Sequence, residues 1–228
     1  MNNLQEQGLI ILGDIFTSQE VHAIIEKIEE ADTSRPQFRK TKELFAIRQF
    51  LKEIPQLTDL IFTDPFKAIV REYAGTDHVM VKSIYFDKPE GSNWFVAWHQ
   101  DLTVSVNKRL ECPGFGNWTM KEGSYGVQPP VNVLESIFTF RIHLDDTDEE
   151  NGALKVIPGS HRQGIVRPDS LPAGEGQVCV VEKGGVMIMR PLLLHASGRV
   201  TSNRQRRVIH IEFCDKILPC GLEWAERL

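Results

Sequence analysis

The chain has 228 residues, of which 41% are hydrophobic and 25% charged, and its formal net charge is −5 at pH 7. This composition is typical of a globular protein with a sizeable core, and the acidic balance argues against general nucleic-acid binding. The N-terminus has no basic segment followed by an apolar run, and no apolar stretch reaches the length of a membrane span, so we expect a cytoplasmic protein without membrane association. Nothing in the sequence indicates an oligomeric state.

The residues before position 79 are predicted to form a mostly helical flank. The stretch GLIILGDIF is a short strand candidate, and Thr17 and Glu20 then have the spacing of a capping box at the start of an amphipathic helix. The polar residues 33–42 predict a loop. A second helix is expected with Asp64 as its N-cap, Pro65 as its first residue and Gly75 just past its end.

From Val79 onward the pattern changes to short strands separated by turn-forming residues. The strand candidates are rich in β-branched and aromatic side chains: VMVKSIYF, NWFVAW, SIFTFRIHL, ALKVI, QVCVVE, GVMIMR and RVIHIEF. Many short strands of this kind indicate a sandwich, a barrel or a jelly roll. Helices followed by strands place the chain in the α+β class, with β structure dominant.

Residues 107–135 fit neither pattern and are predicted to be an inserted loop, because they are rich in Gly, Pro and aromatic side chains. A loop of this length is often functional, and Phe115, Trp118 and Tyr125 would then be pocket walls. The alternative is a packed Ω-loop without a role. Four cations could meet an acidic substrate, although surface solvation is the better explanation for each: Arg109, Lys121, Arg162 and Arg167.

The four cysteines give no sign of a metal or redox site. Cys112, Cys179, Cys214 and Cys220 contain no C-x-x-C pair, so neither a zinc knuckle nor a thioredoxin-type site is predicted. Four cysteines in a chain of this length also do not suggest a disulfide framework.

His99 and Asp101 stand two residues apart in the apolar stretch WHQDLTVSV. In an extended strand both side chains leave the same face, either as a hydrogen-bonded pair or as two ligands of one metal ion. His195, which closes the apolar run in RPLLLHASG, is a candidate third ligand. Two histidines and one carboxylate in this pattern are typical of non-haem iron(II) sites that keep coordination positions open. The remaining histidines are better explained as structural or surface residues: His22, His78, His143, His161 and His210.

Arg206 and Arg207 open the strand candidate RRVIHIEF, a short distance after His195. A buried guanidinium can bind a carboxylate through two parallel hydrogen bonds, as the distal end of 2-oxoglutarate would require. Adjacent strand residues point to opposite faces, so one of the two enters the interior. The spacing alone does not decide which.

Three stretches together resemble one known family: FDKPEGSNWFVAWHQDLTVSV, TFRIHLDDTDEENGALKVIPGSHR and MRPLLLHASGRVTSNRQRRVIHIEF. They are similar to the phytanoyl-CoA dioxygenase family of iron(II)/2-oxoglutarate-dependent oxygenases. The resemblance implies a single domain over residues 1–228, with a double-stranded β-helix (jelly-roll, cupin-like) core at 79–215. The helical part, residues 1–78, would flank this core.

The resemblance also implies a set of site residues. Iron would be held by His99, Asp101 and His195, and the C5 carboxylate of 2-oxoglutarate by Arg206, which the family register favours over Arg207. Further contacts to the co-substrate are implied, less directly, by the positions of Arg141, Ser197, Lys82 and Arg48.

The activity implied by the resemblance is a dioxygenase reaction with iron(II), 2-oxoglutarate and O2. A small-molecule substrate would be hydroxylated at an unactivated carbon, with release of succinate and CO2. Asp101 disfavours halogenation, because related halogenases carry a small residue at that position; desaturation, epoxidation and ring closure remain open. Two alternatives are a cupin-like metalloprotein that does not use 2-oxoglutarate and a non-catalytic jelly-roll binding protein.

Overall fold

The computed structural model describes residues 3–32, 38–41, 45–121, 123–167 and 176–228, and in them the predicted jelly roll is confirmed. Its strands, numbered in chain order, form three antiparallel sheets. The largest sheet has the order β1 (Leu9–Leu12), β12 (Val186–Met189), β9 (Phe138–His143), β14 (Arg206–Cys214), β4 (Val79–Lys88), β3 (Phe45–Arg48) and β2 (Phe38–Lys40). The second sheet has the order β11 (Gln177–Val178), β10 (Leu154–Val156), β13 (His195–Ser197) and β5 (Val96–His99). The third is β6 (Val104–Val106), β8 (Ser124–Gln128) and β7 (Gly116–Lys121).

The helices precede most of the strands, as the sequence predicts. They are α1 (Asn3–Gln7), α2 (Ser18–Glu29), α3 (Phe50–Glu53), α4 (Leu57–Ile61), α5 (Asp64–Tyr73) and α6 (Val131–Leu134), with a short 3-10 helix at Ser160–Gln163. The predicted capping box of Thr17 and Glu20 begins α2. The N-cap of α5 is Thr63 rather than the expected Asp64, because the Thr63 hydroxyl accepts from the backbone N–H of Phe66.

Strict alternation along β14 and β9 separates a helix-facing side of the largest sheet from an interior side. Ile209, Ile211 and Phe213 pack with Phe140 and Ile142 against the buried faces of the helices. The intervening residues of the same strands therefore point to the opposite face, which is the inside of the jelly roll. β9 and β14 thus each have one face that packs against the helices and one face that points into the interior of the jelly roll.

The flank before residue 79 contributes strands as well as helices. β1, β2 and β3 extend the largest sheet at its two edges. Part of the predicted loop at 33–42 is a strand, β2, in which Phe38 is buried and its ring lies 6.1 Å from that of Phe45. Residues 33–37 and 42 of that loop prediction lie outside the described residues.

Residues 107–135 are not the predicted loop, because most of them fold into β7, β8 and α6. With β6 they form a lobe, the three-stranded sheet named above, around a second apolar cluster that includes Trp224 of the C-terminal tail. At Gly126 the strand β8 approaches Thr119 so closely that a Cβ would lie 2.6 Å from its hydroxyl. This glycine therefore lies at a close contact between two paired strands and does not mark a loop.

The C-terminal tail, residues 215–228, is joined to the lobe by one disulfide bond, Cys112–Cys220. The sequence suggested no disulfide framework, so this bond was not predicted; Cys179 and Cys214 are free and buried. The tail also pairs with the core, since Met80 N donates to Leu228 O over 3.1 Å. Within the described ranges, no helix is both long and apolar enough to cross a membrane.

Candidate metal centre and co-substrate pocket

His99, Asp101 and His195 come together at one end of the second sheet. His99 ends β5 and His195 begins β13, and the two are directly paired, with ring centroids 4.1 Å apart. Asp101 follows the strand, where its backbone N–H donates to Pro191 O over 2.9 Å. Its carboxylate oxygens lie 4.0 Å from His99 Nε2 and 3.7 Å from His195 Nε2. The potential ligand atoms all lie within 4.8 Å of one another.

Both imidazoles are oriented with Nε2 toward the shared centre. His99 Nδ1 lies 2.8 Å from Ala97 O and His195 Nδ1 lies 2.9 Å from Leu193 O. A carbonyl oxygen can only accept, so each Nδ1 carries the proton and each Nε2 keeps its lone pair. This tautomer is the one that a metal ligand needs, and the backbone enforces it.

Gln100, between the two predicted ligands, anchors the segment from the other side. Its Nε2 donates to Leu192 O over 2.7 Å and to Gly164 O over 2.8 Å, while its Oε1 accepts from Val166 N over 2.9 Å. These bonds tie the His99–Asp101 segment to two later parts of the chain, residues 164–166 and Leu192. Gln100 was not predicted from the sequence, where its only signal is its place inside H-x-D.

Protonation states at the centre also suit a cation. Burial lowers the pKa of His195 to about 4, so this imidazole is neutral at pH 7. Burial alone would raise the pKa of Asp101, but the neighbouring imidazoles and the Lys82 ammonium outweigh it and hold that pKa well below its usual value. The centre therefore offers one carboxylate and two imidazole donors.

Beside the centre lies a cavity of about 350 Å³ between the two larger sheets and the lobe, and Arg206 lines it. Arg206 is 4% exposed, and among the described residues its Nε and Nη1 have no hydrogen-bond partner. Its Nη2 lies 3.5 Å from Ser197 Oγ, which itself donates to Gly152 O over 2.9 Å. Such unsatisfied buried donors are costly and indicate a site built for an acceptor.

Arg207 faces the opposite side of the sheet. Its Nε and Nη2 donate to the two carboxylate oxygens of Asp145 over 2.9 and 2.7 Å. Since Arg207 is held there, Arg206 is the member of the pair that enters the cavity, in the register that the resemblance favoured.

A second buried cation accompanies Arg206. Lys88 is directly opposite it on β4, is fully buried, and donates to Gly198 O with its ammonium 5.3 Å from the Trp94 ring centroid. Burial and the charge of Arg206 lower the pKa of Lys88 to about 7. Burial and the charge of Arg141 likewise lower the pKa of Arg206 to about 9. The end of the cavity at Arg206 is therefore strongly positive and poorly solvated.

The floor of the cavity carries a chain of four polar side chains on β9, β14 and β4. Arg141 Nη1 lies 3.1 Å from His210 Nδ1, His210 Nε2 lies 2.9 Å from Glu212 Oε1, and Lys82 Nζ lies 2.7 Å from the same oxygen. Because a guanidinium only donates, His210 accepts at Nδ1 and donates from Nε2, and burial accordingly lowers its pKa. From the sequence His210 was predicted to be structural and Glu212 was not singled out, although both alternate with the apolar residues of β14.

The mouth of the cavity is formed by the flank, the lobe and the tail. Arg48 and Gln49 come from the flank, and Gln49 Nε2 donates to Ser124 Oγ of the lobe over 2.6 Å. Glu226 of the tail accepts from Ser83 N over 2.7 Å and from Ser83 Oγ over 2.6 Å. Burial raises the pKa of Glu226. Neither Ser83 nor Glu226 was found from the sequence; Ser83 is one polar residue inside the β4 pattern, and the tail that carries Glu226 has no strand or helix pattern.

The remaining sequence candidates divide between the cavity and other surfaces. Tyr125 and Lys121 line the cavity, whereas Phe115 and Trp118 line a shallow surface depression in which Arg109 lies over the Trp118 ring. Arg162 and Arg167 are not among the residues that line the cavity.

Of the five histidines that the sequence treated as structural or surface residues, His210 lines the cavity and the other four do not. His22 lies on exposed helix surface beside Glu26, 3.2 Å from its carboxylate. His78 and His161 have backbone carbonyls, Ser136 O and Gln5 O, each 3.2 Å away. His143 is buried and its Nδ1 lies 2.8 Å from Thr147 Oγ1.

Comparison with known proteins gives a family match over most of the chain. A family model described as Phytanoyl-CoA dioxygenase (PhyH) matches residues 4–208. The peroxisomal phytanoyl-CoA dioxygenase of Bos taurus is 33% identical over 104 residues, which are 38% of this chain and 30% of that protein. The chain spans about 30% of the length of this relative and of the corresponding proteins of Mus musculus and Rattus norvegicus.

Two longer matches cover nearly all of the chain at lower identity. A probable alpha-ketoglutarate-dependent hypophosphite dioxygenase of Stutzerimonas stutzeri is 22% identical over 253 residues, covering 95% of this chain and 79% of that protein. The crystal structure of EctD from S. alaskensis with 2-oxoglutarate and 5-hydroxyectoine has a TM-score of 0.70 at 19% identity. That match covers 93% of this chain and 73% of the other, and it supports the fold.

Proposed function

Because the chain belongs to the phytanoyl-CoA dioxygenase family, we propose that it is an iron(II)/2-oxoglutarate-dependent dioxygenase that hydroxylates a small molecule. The observation that carries this proposal is the convergence of the His99, Asp101 and His195 donor atoms beside a cavity that ends in a buried guanidinium. Two imidazoles and one carboxylate, with an open side toward a cavity, suit iron(II) and leave room for two further ligands.

The donor set fits the metal by its chemistry. Both imidazoles point Nε2 toward the centre, and the low pKa of Asp101 keeps its carboxylate ionised at pH 7, as binding of a cation requires. Bound iron(II) with 2-oxoglutarate would activate O2, with oxidative decarboxylation of the 2-oxo acid to succinate and CO2. The protein holds these donors by backbone contacts and keeps water away from the buried side of the centre.

Arg206 would hold the C5 carboxylate of 2-oxoglutarate. Its Nε and Nη1 are buried donors without a partner among the described residues, and Ser197 Oγ lies beside its Nη2. A carboxylate placed there gains charge-assisted hydrogen bonds and relieves the desolvation of the guanidinium. Lys88, behind Arg206, adds to the positive potential without lining the cavity itself.

Arg141 and Lys82 would act nearer to the metal. Arg141 Nε is buried and has no partner among the described residues, and the Arg141 guanidinium is positioned by His210. Lys82 is positioned by Glu212. Both cations lie close enough to Asp101 for their charges to affect it, so they can steady the carboxylate end of a 2-oxo acid chelated at the metal.

Asp101 favours hydroxylation over halogenation, because an intact carboxylate ligand leaves no place for a halide at that position. The substrate need not be a coenzyme A thioester. The Stutzerimonas stutzeri relative, which matches nearly the whole chain, is named for hypophosphite, a small inorganic anion.

The decisive experiment is an anaerobic titration of the metal-free protein with iron(II) and then 2-oxoglutarate, followed by absorbance. We expect a weak visible charge-transfer band that requires both additions, and slow succinate formation on exposure to air. Stoichiometric iron binding with neither band nor succinate would contradict 2-oxoglutarate use and favour a metalloprotein of another type.

A further inference from the structure

The C-terminal tail adds a short strand segment to the sheet of the lobe. Val106 of β6 and Trp224 of the tail form an antiparallel bridge, and Ala225 N donates to Ser105 O over 3.0 Å. Val106 and Trp224 are both buried in the apolar cluster of the lobe. The order across the sheet is therefore tail, β6, β8 and β7, so the tail belongs to the wall that the lobe presents to the cavity.

Ser105, Gly126 and Thr119 form one row across this wall. Ser105 on β6 and Thr119 on β7 are both register partners of Gly126 on β8, and all three residues line the cavity. A Cβ on Gly126 would lie 2.6 Å from Thr119 Oγ1, so the Thr119 hydroxyl occupies the space that a side chain would take there. Within the part of the chain that the structure describes, neither the Ser105 nor the Thr119 hydroxyl forms a hydrogen bond. The row thus presents two hydroxyl groups to a ligand in the cavity.

Glu226 adds a buried carboxylate to the lining, one residue after Ala225. It is 5% exposed, and its two oxygens each accept one hydrogen bond, both from Ser83. Among the described residues, no lysine, arginine or histidine forms an ion pair with it. A carboxylate has roughly four acceptor sites, so some remain for a ligand. A neutral amide would bond Ser83 equally well, so the contact to Ser83 alone does not require a buried charge.

The wall therefore combines acceptors, donors and groups that do both. Glu226 accepts, the hydroxyls of the row donate and accept, and Lys121, whose register partner is Ser124, can donate. The hydroxyl group of a substrate also donates and accepts. A molecule with several hydroxyl groups can therefore bond to each kind of group on this wall.

Other classes of substrate fit this wall less well. An anion would be repelled by Glu226, and an ammonium would meet Lys82, which lies close enough for its charge to act on Glu226. An alkyl chain would remove water from the hydroxyls without replacing its hydrogen bonds. A cavity of about 350 Å³ that also has to contain 2-oxoglutarate leaves space only for a small molecule.

We propose that the primary substrate is a small, uncharged polyhydroxylated molecule, a polyol or a single sugar ring, whose hydroxyl groups bind to Glu226, Ser105 and Thr119. Glu226 is then a specificity-determining residue that the tail supplies. The proposal rests on the proposed function, because it takes the part of the cavity beside His99, Asp101 and His195 as the site of the metal and 2-oxoglutarate.

The test uses the protein loaded anaerobically with iron(II) and saturating 2-oxoglutarate. The polyhydroxylated probes are myo-inositol and methyl glucoside. Cyclohexanol, cyclohexylamine and cyclohexanecarboxylate keep a ring of the same size with one hydroxyl, a cation or an anion. The readouts are a change in the charge-transfer band and stimulated succinate formation in air. We expect at least one polyhydroxylated probe to change the band, and the other three to do so only at concentrations higher by about tenfold or more.

Variants assign this selectivity to the wall. Glu226→Gln keeps the contacts to Ser83 and removes the charge, so it should weaken the better polyhydroxylated probe by about tenfold and leave 2-oxoglutarate affinity unchanged. Thr119→Val, at an exposed position, keeps the shape of the side chain and should weaken the same probe by about fivefold. Glu223→Gln is the matched control, because Glu223 is an exposed carboxylate of the same tail that bonds Asn107 and does not line the cavity.

The outcomes separate this proposal from the proposed function. Absence of the band in the wild-type protein contradicts the proposed function. A normal band that neither polyhydroxylated probe changes, or that cyclohexanol, the amine or the carboxylate changes equally well, overturns the polyhydroxylated substrate alone. The same holds if Glu226→Gln and Thr119→Val leave the selectivity among the probes as it is in the wild type, since a purely structural role of Glu226 predicts that result.

Discussion

His99 and His195 are directly opposite one another on antiparallel strands, and each is locked by a backbone carbonyl into the tautomer that presents Nε2. We predict that His99→Ala and His195→Ala each weaken iron(II) binding by at least about 100-fold, since loss of a ligand costs more than loss of an outer-shell partner. Anaerobic metal titration with circular dichroism checks both binding and folding. His22→Ala, at an exposed helix position, is the control. Stoichiometric metal binding by a folded His195→Ala protein would contradict the assignment.

Arg206 and Arg207 form a matched pair for testing the anion site. Arg206→Gln should raise the dissociation constant of 2-oxoglutarate by about 10- to 100-fold while iron(II) still binds, because a charged hydrogen bond is lost. Arg207→Gln should leave that constant unchanged and lower the free energy of unfolding by about 1 kcal/mol, through loss of the contacts to Asp145. The reverse pattern of affinities would place the co-substrate on the other face of β14.

Glu212 is the buried carboxylate that pairs with the partly buried Lys82 ammonium. Glu212→Ala leaves that ammonium without its anion, and we expect the free energy of unfolding to fall by about 3–5 kcal/mol. The double variant Lys82→Met/Glu212→Met removes both charges and should be clearly more stable than Glu212→Ala. Denaturant unfolding measures all three proteins. A cost below about 1 kcal/mol for the single variant would mean that the pair is hydrated in solution.

Lys88 should make stability depend on pH in the alkaline range. Its pKa is about 7 in the folded protein against 10.5 for the ordinary side chain, so between these values the unfolded chain binds more protons. The contribution of Lys88 to stability is therefore unfavourable below pH 7 and improves as the pH rises toward 10.5, by at most about 1.4 kcal/mol per pH unit. In Lys88→Met this rise should disappear, and Lys108→Met serves as the control. Unfolding curves at pH 7, 8 and 9 (about one unit apart, to resolve this slope) make the comparison, and identical pH slopes for Lys88→Met and the wild type would refute the assignment.

The Cys112–Cys220 bond closes a loop with a sequence separation of 108 residues, so its loss should lower the stability of the whole fold. Cys220→Ser is expected to lower the free energy of unfolding by about 2–5 kcal/mol. Dithiothreitol should destabilise the wild-type protein by a similar amount and have no effect on the variant. Mass spectrometry without reductant detects the bond directly. Since disulfides are rare in the cytosol, an oxidised bond in freshly lysed cells would count against the expected cytoplasmic location.

The jelly roll was predictable because its strands have a strong local signal. In β14 the buried apolar residues Ile209, Ile211 and Phe213 stand at every second position. Such a period of two indicates a strand with one buried face, whichever element packs against that face. The H-x-D spacing gave His99 and Asp101 for the same reason, since two residues along an extended chain restore the direction of the side chain.

Other parts depend on contacts that no short window contains. The sequence of residues 107–135 predicts a loop because it is rich in Gly, Pro and aromatic residues, whereas Gly126 lies inside β8, close to the Thr119 hydroxyl of β7. Glu226 belongs to the mouth only because the tail returns to β4, where Ser83 binds it. Glu212 is recognisable as part of the site only when Lys82, 130 residues earlier in the chain, is placed beside it.

The pairing of β4 with β14 has a kinetic consequence. These strands, which form the floor of the cavity, come from distant parts of the chain, and the same is true of the two histidines at the metal centre. Such non-local pairing slows folding, because a long loop must close before any contact compensates for its entropy. We therefore expect His99 and His195 to come together late in folding, once β5 and β13 have paired. After dilution from denaturant, iron(II) binding should therefore return only when folding is complete. The helices of the flank should form well before that point.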